Sequence, residues 1–215
     1  MNSNRLVGMA GVLAIAVAAA ALYFQFRGQR IDLGPYTASG EVAGEETSKA
    51  ISGTGSVVVV IEDPGEETDP VSVSRLSAFT KGLRRSGNAR IEAVEKILLD
   101  SMSRFASGGA VPPDQYVALR QKYAKSSALV FFLPVLIKPL PDGGGVGGKS
   151  SPVTVVVAPC LPGYRELIRS GAIQIAIMPK NRSADDVLRP AKSPRELFQQ
   201  EFILATPATA DLAPF

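Results

Sequence analysis

Histidine is absent from this chain of 215 residues, and cysteine occurs once, as Cys160. Histidine is the commonest general base and the commonest zinc ligand in proteins, so its absence excludes Ser-His-Asp chemistry and ordinary zinc catalysis. A single cysteine cannot form an internal disulfide or a site with several thiolate ligands, and it does not identify the redox compartment. We therefore expect neither a cofactor nor a resident metal.

Charged residues are also few, at 20% of the chain, and they are unevenly distributed. Residues 28–70 contain two basic and nine acidic side chains, whereas residues 71–215 contain nineteen basic and eleven acidic ones. A basic body suits an anionic partner or an anionic membrane surface. However, the Lys and Arg residues are scattered and are not interleaved with aromatic residues, so we predict no nucleic-acid partner.

One long apolar run stands out, residues 6–24, in which nineteen successive residues carry no charge. As an α-helix this run spans roughly 28 Å, close to the hydrocarbon thickness of a bilayer. Aromatic residues and two arginines follow it, which is typical of a membrane boundary. We predict an uncleaved single-pass membrane anchor over residues 1–27, with the following domain on the periplasmic side. The alternative is a signal peptide cleaved near residues 18–20.

Residues 28–56 are rich in Gly, Ser, Thr and Glu and contain few large apolar side chains. Such a composition buries too little apolar surface to offset the entropy lost on ordering, so we predict a flexible polar linker. The folded domain is then expected over residues 57–206. Residues 207–215 are rich in Pro and Ala and are predicted to form an irregular tail.

Strands and helices alternate in the predicted domain. Short runs of β-branched and other apolar residues predict strands at 57–61, 128–137, 153–158, 172–178 and 202–205. Helical spacing of apolar residues, with start and stop signals, predicts helices at 72–86, 88–105, 112–125, 161–170 and 193–199. This order predicts a Rossmann-like α/β domain, with a mixed, mostly parallel sheet of about five strands and flanking helices.

Two parts of this scheme make specific expectations. The helix over 88–105 would turn one apolar face inward, and that face consists of Ile91, Val94, Leu98, Met102 and Phe105. For its first part, residues 89–94, the alternative is a strand. The strands at 128–137 and 153–158 are joined by a loop, so we expect an antiparallel pair or a bent connection.

The order of the elements resembles one lobe of the type I periplasmic binding proteins. In open α/β sheets of this kind, ligands bind outside the carboxyl ends of the strands. The acidic loop over 62–69 follows such a strand end, and grouped carboxylates are suitable ligands for Ca²⁺ or Mg²⁺. The loop has no EF-hand spacing, so we interpret it as a solvated charge run.

The cysteine lies between a predicted strand and a predicted helix, in a C-x-x-G-x-R sequence that runs from Cys160 to Arg165. This sequence resembles the active-site loop of the rhodanese-type sulfurtransferases. The resemblance implies that Cys160 is a nucleophile with a lowered thiol pKa and that Arg165 contacts a bound anion. The upstream segments of that family are missing, so our first interpretation of Cys160 is a small buried thiol.

Residues 143–150 satisfy the GxxxxGK[ST] pattern of a phosphate-binding loop. That chemistry needs a helix after the loop, whose amides and dipole meet the phosphates. Here Ser151, Pro152 and a β-branched strand follow instead, so we reject a nucleotide hydrolase.

Together these patterns predict a membrane-anchored α/β domain of bacterial type that binds a small molecule or another protein and does not catalyse a reaction. The alternative is a rhodanese-like sulfur- or phosphate-transfer enzyme that uses Cys160 and Arg165.

Overall fold

The computed structural model describes residues 31–65, 69–99, 101–137, 151–181 and 190–213. The secondary structure lies in one compact unit, Leu33–Phe215. The predicted anchor over 6–24 and the GxxxxGK[ST] sequence at 143–150 lie outside the described residues. Within the described parts, no helix is long and apolar enough to cross a membrane.

Six helices and six strands alternate along the described chain. The helices are α1 Gly34–Ala50, α2 Pro70–Ser86, α3 Ser101–Ser107, α4 Pro113–Lys122, α5 Tyr164–Arg169 and α6 Pro194–Glu201. The strands are β1 Ser56–Glu62, β2 Arg90–Ile97, β3 Ala128–Phe131, β4 Val153–Val157, β5 Ile175–Pro179 and β6 Phe202–Ala205. A 3₁₀ helix, Pro207–Leu212, follows β6.

The strands form one sheet in the order β2-β1-β3-β4-β5-β6. Every neighbouring pair is parallel except β5 and β6, which are antiparallel. The central strands are buried on both faces, which explains why they read as continuous β-branched runs rather than as alternating patterns. The predicted α/β class and the mixed, mostly parallel sheet are confirmed, with six strands in place of about five.

Helices cover both faces of this sheet. On one face α1, α2 and α6 pack against side chains such as Val57 and Val59 of β1. On the other face α4, α5 and the 3₁₀ helix pack against side chains such as Val58 and Val60. Alternate residues of one strand therefore serve two separate cores, as the two-residue period of a strand requires.

The prediction of a flexible linker over 28–56 is wrong for most of its length, because α1 occupies residues 34–50. Its small residues serve close packing and not flexibility. Gly40 and Gly44 of α1 and Gly82 of α2 lie so close to the facing backbone that a Cβ at any of them would overlap it. The folded domain accordingly begins at Leu33 and not at residue 57.

The prediction of a helix over 88–105 is also wrong. Residues 90–97 form the edge strand β2, and only the short helix α3 follows it. The alternative strand at 89–94 is therefore the better interpretation of this segment. A register shift opposite Val57 and Val58 of β1 places a bulge in β2. Burial still alternates along β2, but Val94 lies on its exposed side and Glu95 on its more buried side, so the sequence does not show the apolar alternation of a strand.

Two further expectations are corrected by the structure. The strands β3 and β4 are parallel rather than antiparallel, with Ala128 opposite Val153 and Phe131 opposite Val156. The tail over 207–215 is not irregular throughout, because Pro207–Leu212 form the 3₁₀ helix that packs beside α5.

Candidate functional site

The carboxyl edge of the sheet has a topological switch point between β1 and β3. These strands are neighbours, but the chain leaves β1 toward β2 on one side and leaves β3 toward β4 on the other. The loops that follow the two strands therefore diverge and leave a crevice, which is where open α/β sheets place their ligands. The residues around this point form the candidate site.

Acidic side chains follow β1 at this edge. Glu62, the last residue of β1, forms an ion pair with Arg104 of α3. Asp63 donates its backbone N–H to the carbonyl oxygen of Ile97 over 2.8 Å, and its half-buried carboxylate accepts the N–H of Gly65 over 3.2 Å. These contacts fix Asp63 in place directly after the carboxyl end of β1.

Asp69 ends the same loop and caps α2. Its carboxylate accepts the N–H groups of Val71 and Ser72, each over 3.0 Å. Partial burial raises the pKa of Asp69, but a hydrogen bond from the Ser72 hydroxyl, the two backbone hydrogen bonds and the charge of Arg75 outweigh burial and leave the pKa below its ordinary value. Asp69 is therefore an ionised helix cap that closes one side of the crevice.

Arg75 of α2 lies deepest in this region. Its guanidinium lies over the ring of Tyr36 at 5.1 Å and over the ring of Phe132 at 5.5 Å, and Nη1 donates to the Phe132 carbonyl over 3.2 Å. Burial lowers the pKa of Arg75, while Tyr36 and Asp69 act in the opposite direction. Such cation–π contacts are stronger when desolvated, so Arg75 ties α1 and α2 to the end of β3.

No sequence signal marks this cluster, because its members are far apart in the chain. Arg75 and Phe132 are 57 residues apart, and Tyr36 comes from the segment that composition identifies as a linker.

The acidic loop at 62–69 is only partly described, because residues 66–68 lie outside the described ranges. Among the residues that the structure describes, no group of three or more acidic, cysteine or histidine side chains is placed to hold a metal ion.

Cys160 and Arg165 follow the end of β4, which lies two strands away from β1 in the sheet. The half-buried Cys160 thiol donates to the Leu161 carbonyl over 3.7 Å. Burial raises the pKa of this thiol, and the opposing effect of Arg165 is smaller. Arg165 itself donates from Nε and Nη2 to the Ala213 carbonyl, over 3.2 and 2.8 Å. A raised thiol pKa favours the neutral form, so the geometry lends no support to the rhodanese-like alternative.

Tyr164, between these two residues, has a structural role that the sequence does not reveal. Its buried hydroxyl donates to the Val135 carbonyl over 3.1 Å and accepts the Val135 N–H over 2.8 Å. Burial is the main cause that raises the pKa of Tyr164 far above its ordinary value. The side chain joins α5 to the segment that follows β3.

A separate cleft of about 330 Å³ lies among α1, α2 and α6. Its lining is an ion-pair network, in which Glu41 of α1 pairs with Arg85 of α2, and Arg195 of α6 pairs with Glu45 of α1 over 2.9 Å. Each of these carboxylates has an opposite charge within 4 Å, so ion pairs join the three helices at this cleft.

Comparisons with known proteins support the fold assignment. No protein-family model and no curated protein matches the chain. Among solved structures, an arabinose-binding protein from Geobacillus stearothermophilus matches with a TM-score of 0.53 and 13% identity. The match covers 84% of this chain and 63% of that one.

A sugar-binding protein of a sugar ABC transporter from Bacillus halodurans matches with a TM-score of 0.50 and 13% identity. That match covers 82% of this chain and 64% of that one. The chain thus spans less than two thirds of the length of either protein. At this identity the likeness shows the fold alone, a mostly parallel six-stranded sheet with helices on both faces.

Proposed function

We propose that this chain is a non-catalytic binding domain, held at a membrane by residues 6–24 on the extracytoplasmic side, that takes a small sugar at the carboxyl edge of its sheet. The observation that carries the proposal is the switch point between β1 and β3, in a fold similar to that of two sugar-binding proteins. The crevice at that point is the usual ligand position of such sheets.

The chemistry of the edge suits a neutral polyhydroxylated ligand. The Asp63 carboxylate has four lone-pair positions and uses one for the Gly65 N–H, so it is able to accept ligand hydroxyl groups. Asp69 caps α2, and Arg75 lies against the Phe132 ring, so these two side chains help to fix the elements around the end of β1. Hydrogen bonds from hydroxyl groups to a fixed carboxylate are charge-assisted and give the site its orientation.

The test is a panel of pentoses and hexoses that begins with arabinose, measured by isothermal calorimetry on the full chain in detergent. A hydrogen bond to a charged group contributes about 1.5–3 kcal/mol, so Asp63→Asn should weaken binding by roughly 10- to 100-fold. The matched control is Asp211→Asn, because Asp211 is an exposed partner of Arg169 on the 3₁₀ helix.

Binding of a sugar that is weakened by Asp63→Asn and not by Asp211→Asn is the expected result. If no sugar on the panel binds, the sugar assignment is refuted. If both variants weaken binding equally, the ligand lies elsewhere than at the end of β1.

A further inference from the structure

The cleft among α1, α2 and α6 lies away from the candidate sugar site. Arg85 on its wall is the penultimate residue of α2, a helix that begins at the carboxyl edge of the sheet after β1 and ends before β2. The cleft therefore lies toward the amino edge of the sheet. Its volume of about 330 Å³ is that of a pocket for a small molecule, since such pockets measure about 300–1,000 Å³.

The charges of this cleft are arranged in two layers. The carboxylates of Glu41 and Glu45, one turn apart on α1, form the inner layer, with side chains only 7% and 13% exposed. The cations lie outside them, because the side chains of Arg85 and Arg195 are 55% and 61% exposed. Lys81, at the edge of this group and 3.6 Å from Glu41, is 61% exposed. The surface that faces solvent is therefore cationic.

Both guanidinium groups are held by the same carboxylate. Arg195 Nη1 lies 2.9 Å from Glu45 Oε2, and Arg85 Nη1 lies 3.7 Å from Glu45 Oε1. Arg85 Nη1 also donates to Glu41. Glu45 thus brings two arginines from different helices to one place, although Arg85 and Arg195 are far apart in the sequence.

Each arginine is anchored through one nitrogen atom only. Across the described parts of the chain, neither Arg85 nor Arg195 makes a hydrogen bond or an ion pair through Nε or Nη2. The remaining N–H groups of each guanidinium suffice for the two parallel hydrogen bonds with which arginine binds a carboxylate or a phosphate. Because Nη1 is already held, less side-chain entropy is lost when a ligand binds.

We propose that this cleft is a second binding site, which takes a small organic anion whose carboxylate or phosphate group is held by Arg85 and Arg195. The ligand is an anion because the exposed charges are cations, whereas the carboxylates beneath them are covered and paired. Val42 and Pro194 also line the cleft and provide apolar contacts for the carbon atoms of the ligand. This site is separate from the sugar site of the proposed function.

The experiment is isothermal calorimetry of the full chain in detergent at low ionic strength, with inorganic phosphate and succinate as probes. Arg195→Gln is the test variant, because Arg195 is exposed and Glu45 keeps Arg85 as a partner when Arg195 is replaced. The matched control is Arg84→Gln, which removes the same charge from an exposed neighbour of Arg85 that does not line the cleft. Circular dichroism checks that both variants are folded.

The expected result is that at least one probe binds and that Arg195→Gln weakens its binding at least about tenfold, as the loss of a hydrogen bond to a charged group implies. Arg84→Gln should change the affinity little. Arg195→Lys should also weaken binding, because an ammonium group keeps the charge but lacks the planar pair of donors. Binding of phosphate alone or of succinate alone identifies the anionic group that the site prefers.

Three outcomes would overturn the proposal. If neither probe binds at millimolar concentration, the cleft is an ion-pair network that only joins three helices. If Arg84→Gln weakens binding as much as Arg195→Gln does, the attraction is diffuse and not a site. If Arg195→Lys binds like the wild type, the paired donors of the guanidinium have no role. The sugar panel, repeated on Arg195→Gln, should give unchanged affinities, so a failure of the sugar site and a failure of the anion site are seen separately.

Discussion

The close packing of α1 against α2 predicts that adding single methyl groups there destabilises the domain. A Cβ at Gly44 would lie 2.6 Å from the backbone nitrogen of Leu83 and closer still to the carbonyl oxygen of Phe79. Ordinary contacts begin near 3.4 Å, so the Leu83 contact alone requires the two helices to separate by about 0.8 Å, and the Phe79 contact requires more. The obstructing atoms belong to backbone and cannot turn away as a flexible side chain can.

The size of the effect follows from two opposing contributions. Overpacking destabilises the fold by about 1–3 kcal/mol, whereas the higher helix propensity of Ala than of Gly stabilises it by about 1 kcal/mol. Because the overlap involves backbone, we take the upper end of the first range and expect Gly44→Ala to lower the free energy of unfolding by about 2 kcal/mol. Gly82→Ala, which meets the backbone of Glu41, should act in the same direction.

Urea unfolding of the full chain in detergent, followed by circular dichroism, measures this effect. With an m-value of about 2 kcal/mol/M, the midpoint should fall by about 1 M for Gly44→Ala. The matched control is Ser77→Ala on the exposed face of α2, which should stabilise by about 0.5 kcal/mol. If Gly44→Ala matches wild type or behaves like Ser77→Ala, α1 is a loose linker and the packing argument fails.

Two further predictions concern single side chains. Tyr164→Phe removes both hydrogen bonds to the Val135 backbone and leaves a buried N–H and carbonyl unsatisfied. The free energy of unfolding in urea should therefore fall by about 1–3 kcal/mol. An unchanged urea midpoint would contradict this role of Tyr164. Because burial raises the pKa of the Cys160 thiol, its reaction with maleimide should be slow at neutral pH and should accelerate only above the pH at which a free cysteine ionises. Rapid labelling below pH 7 would indicate a thiolate and would support the enzyme alternative.

The buried strands were predictable because their sequences are compatible with few other secondary structures. The run that includes Val57 to Val60 is β-branched, short and closed by an acidic turn with Pro64 and Gly65, and both faces of β1 are covered by helices. A parallel sheet imposes continuous hydrophobicity on such strands, and this is a local signal that sequence shows directly.

Helix α1 was not predictable from composition, because its stability comes from its neighbours. Its small residues allow the backbones of α1 and α2 to approach, and its buried Glu41 is compensated by Arg85, 44 residues further along the chain. The same residues without α2 would be polar and flexible. Composition indicates how the segment behaves in isolation, whereas its contacts with the rest of the domain determine the structure that it adopts.

The candidate site was predictable in position but not in its residues. The acidic turn after β1 and the rule for ligands in open sheets together point to the carboxyl edge. The walls of the crevice depend on Arg75, Tyr36 and Phe132, which three separate elements bring together. Contacts between residues so distant in sequence leave no periodic signal, so only the folded arrangement reveals them.

The apolar residues of segment 91–105 show why periodicity alone gave the wrong element. Spacing of i, i+3 and i+4 predicts one inward helical face, but in the structure Ile91 and Val94 belong to β2, whereas Met102 and Phe105 belong to α3. A helix buries an apolar face only where another apolar surface of the protein is available to pack against it. Both faces of the sheet beside β1 are already occupied by α2 and α4, so α3 has no core to enter and its apolar side chains remain outside. The exposure of Phe105 is thus a consequence of topology, and its energetic cost is the reason to expect that another surface covers it.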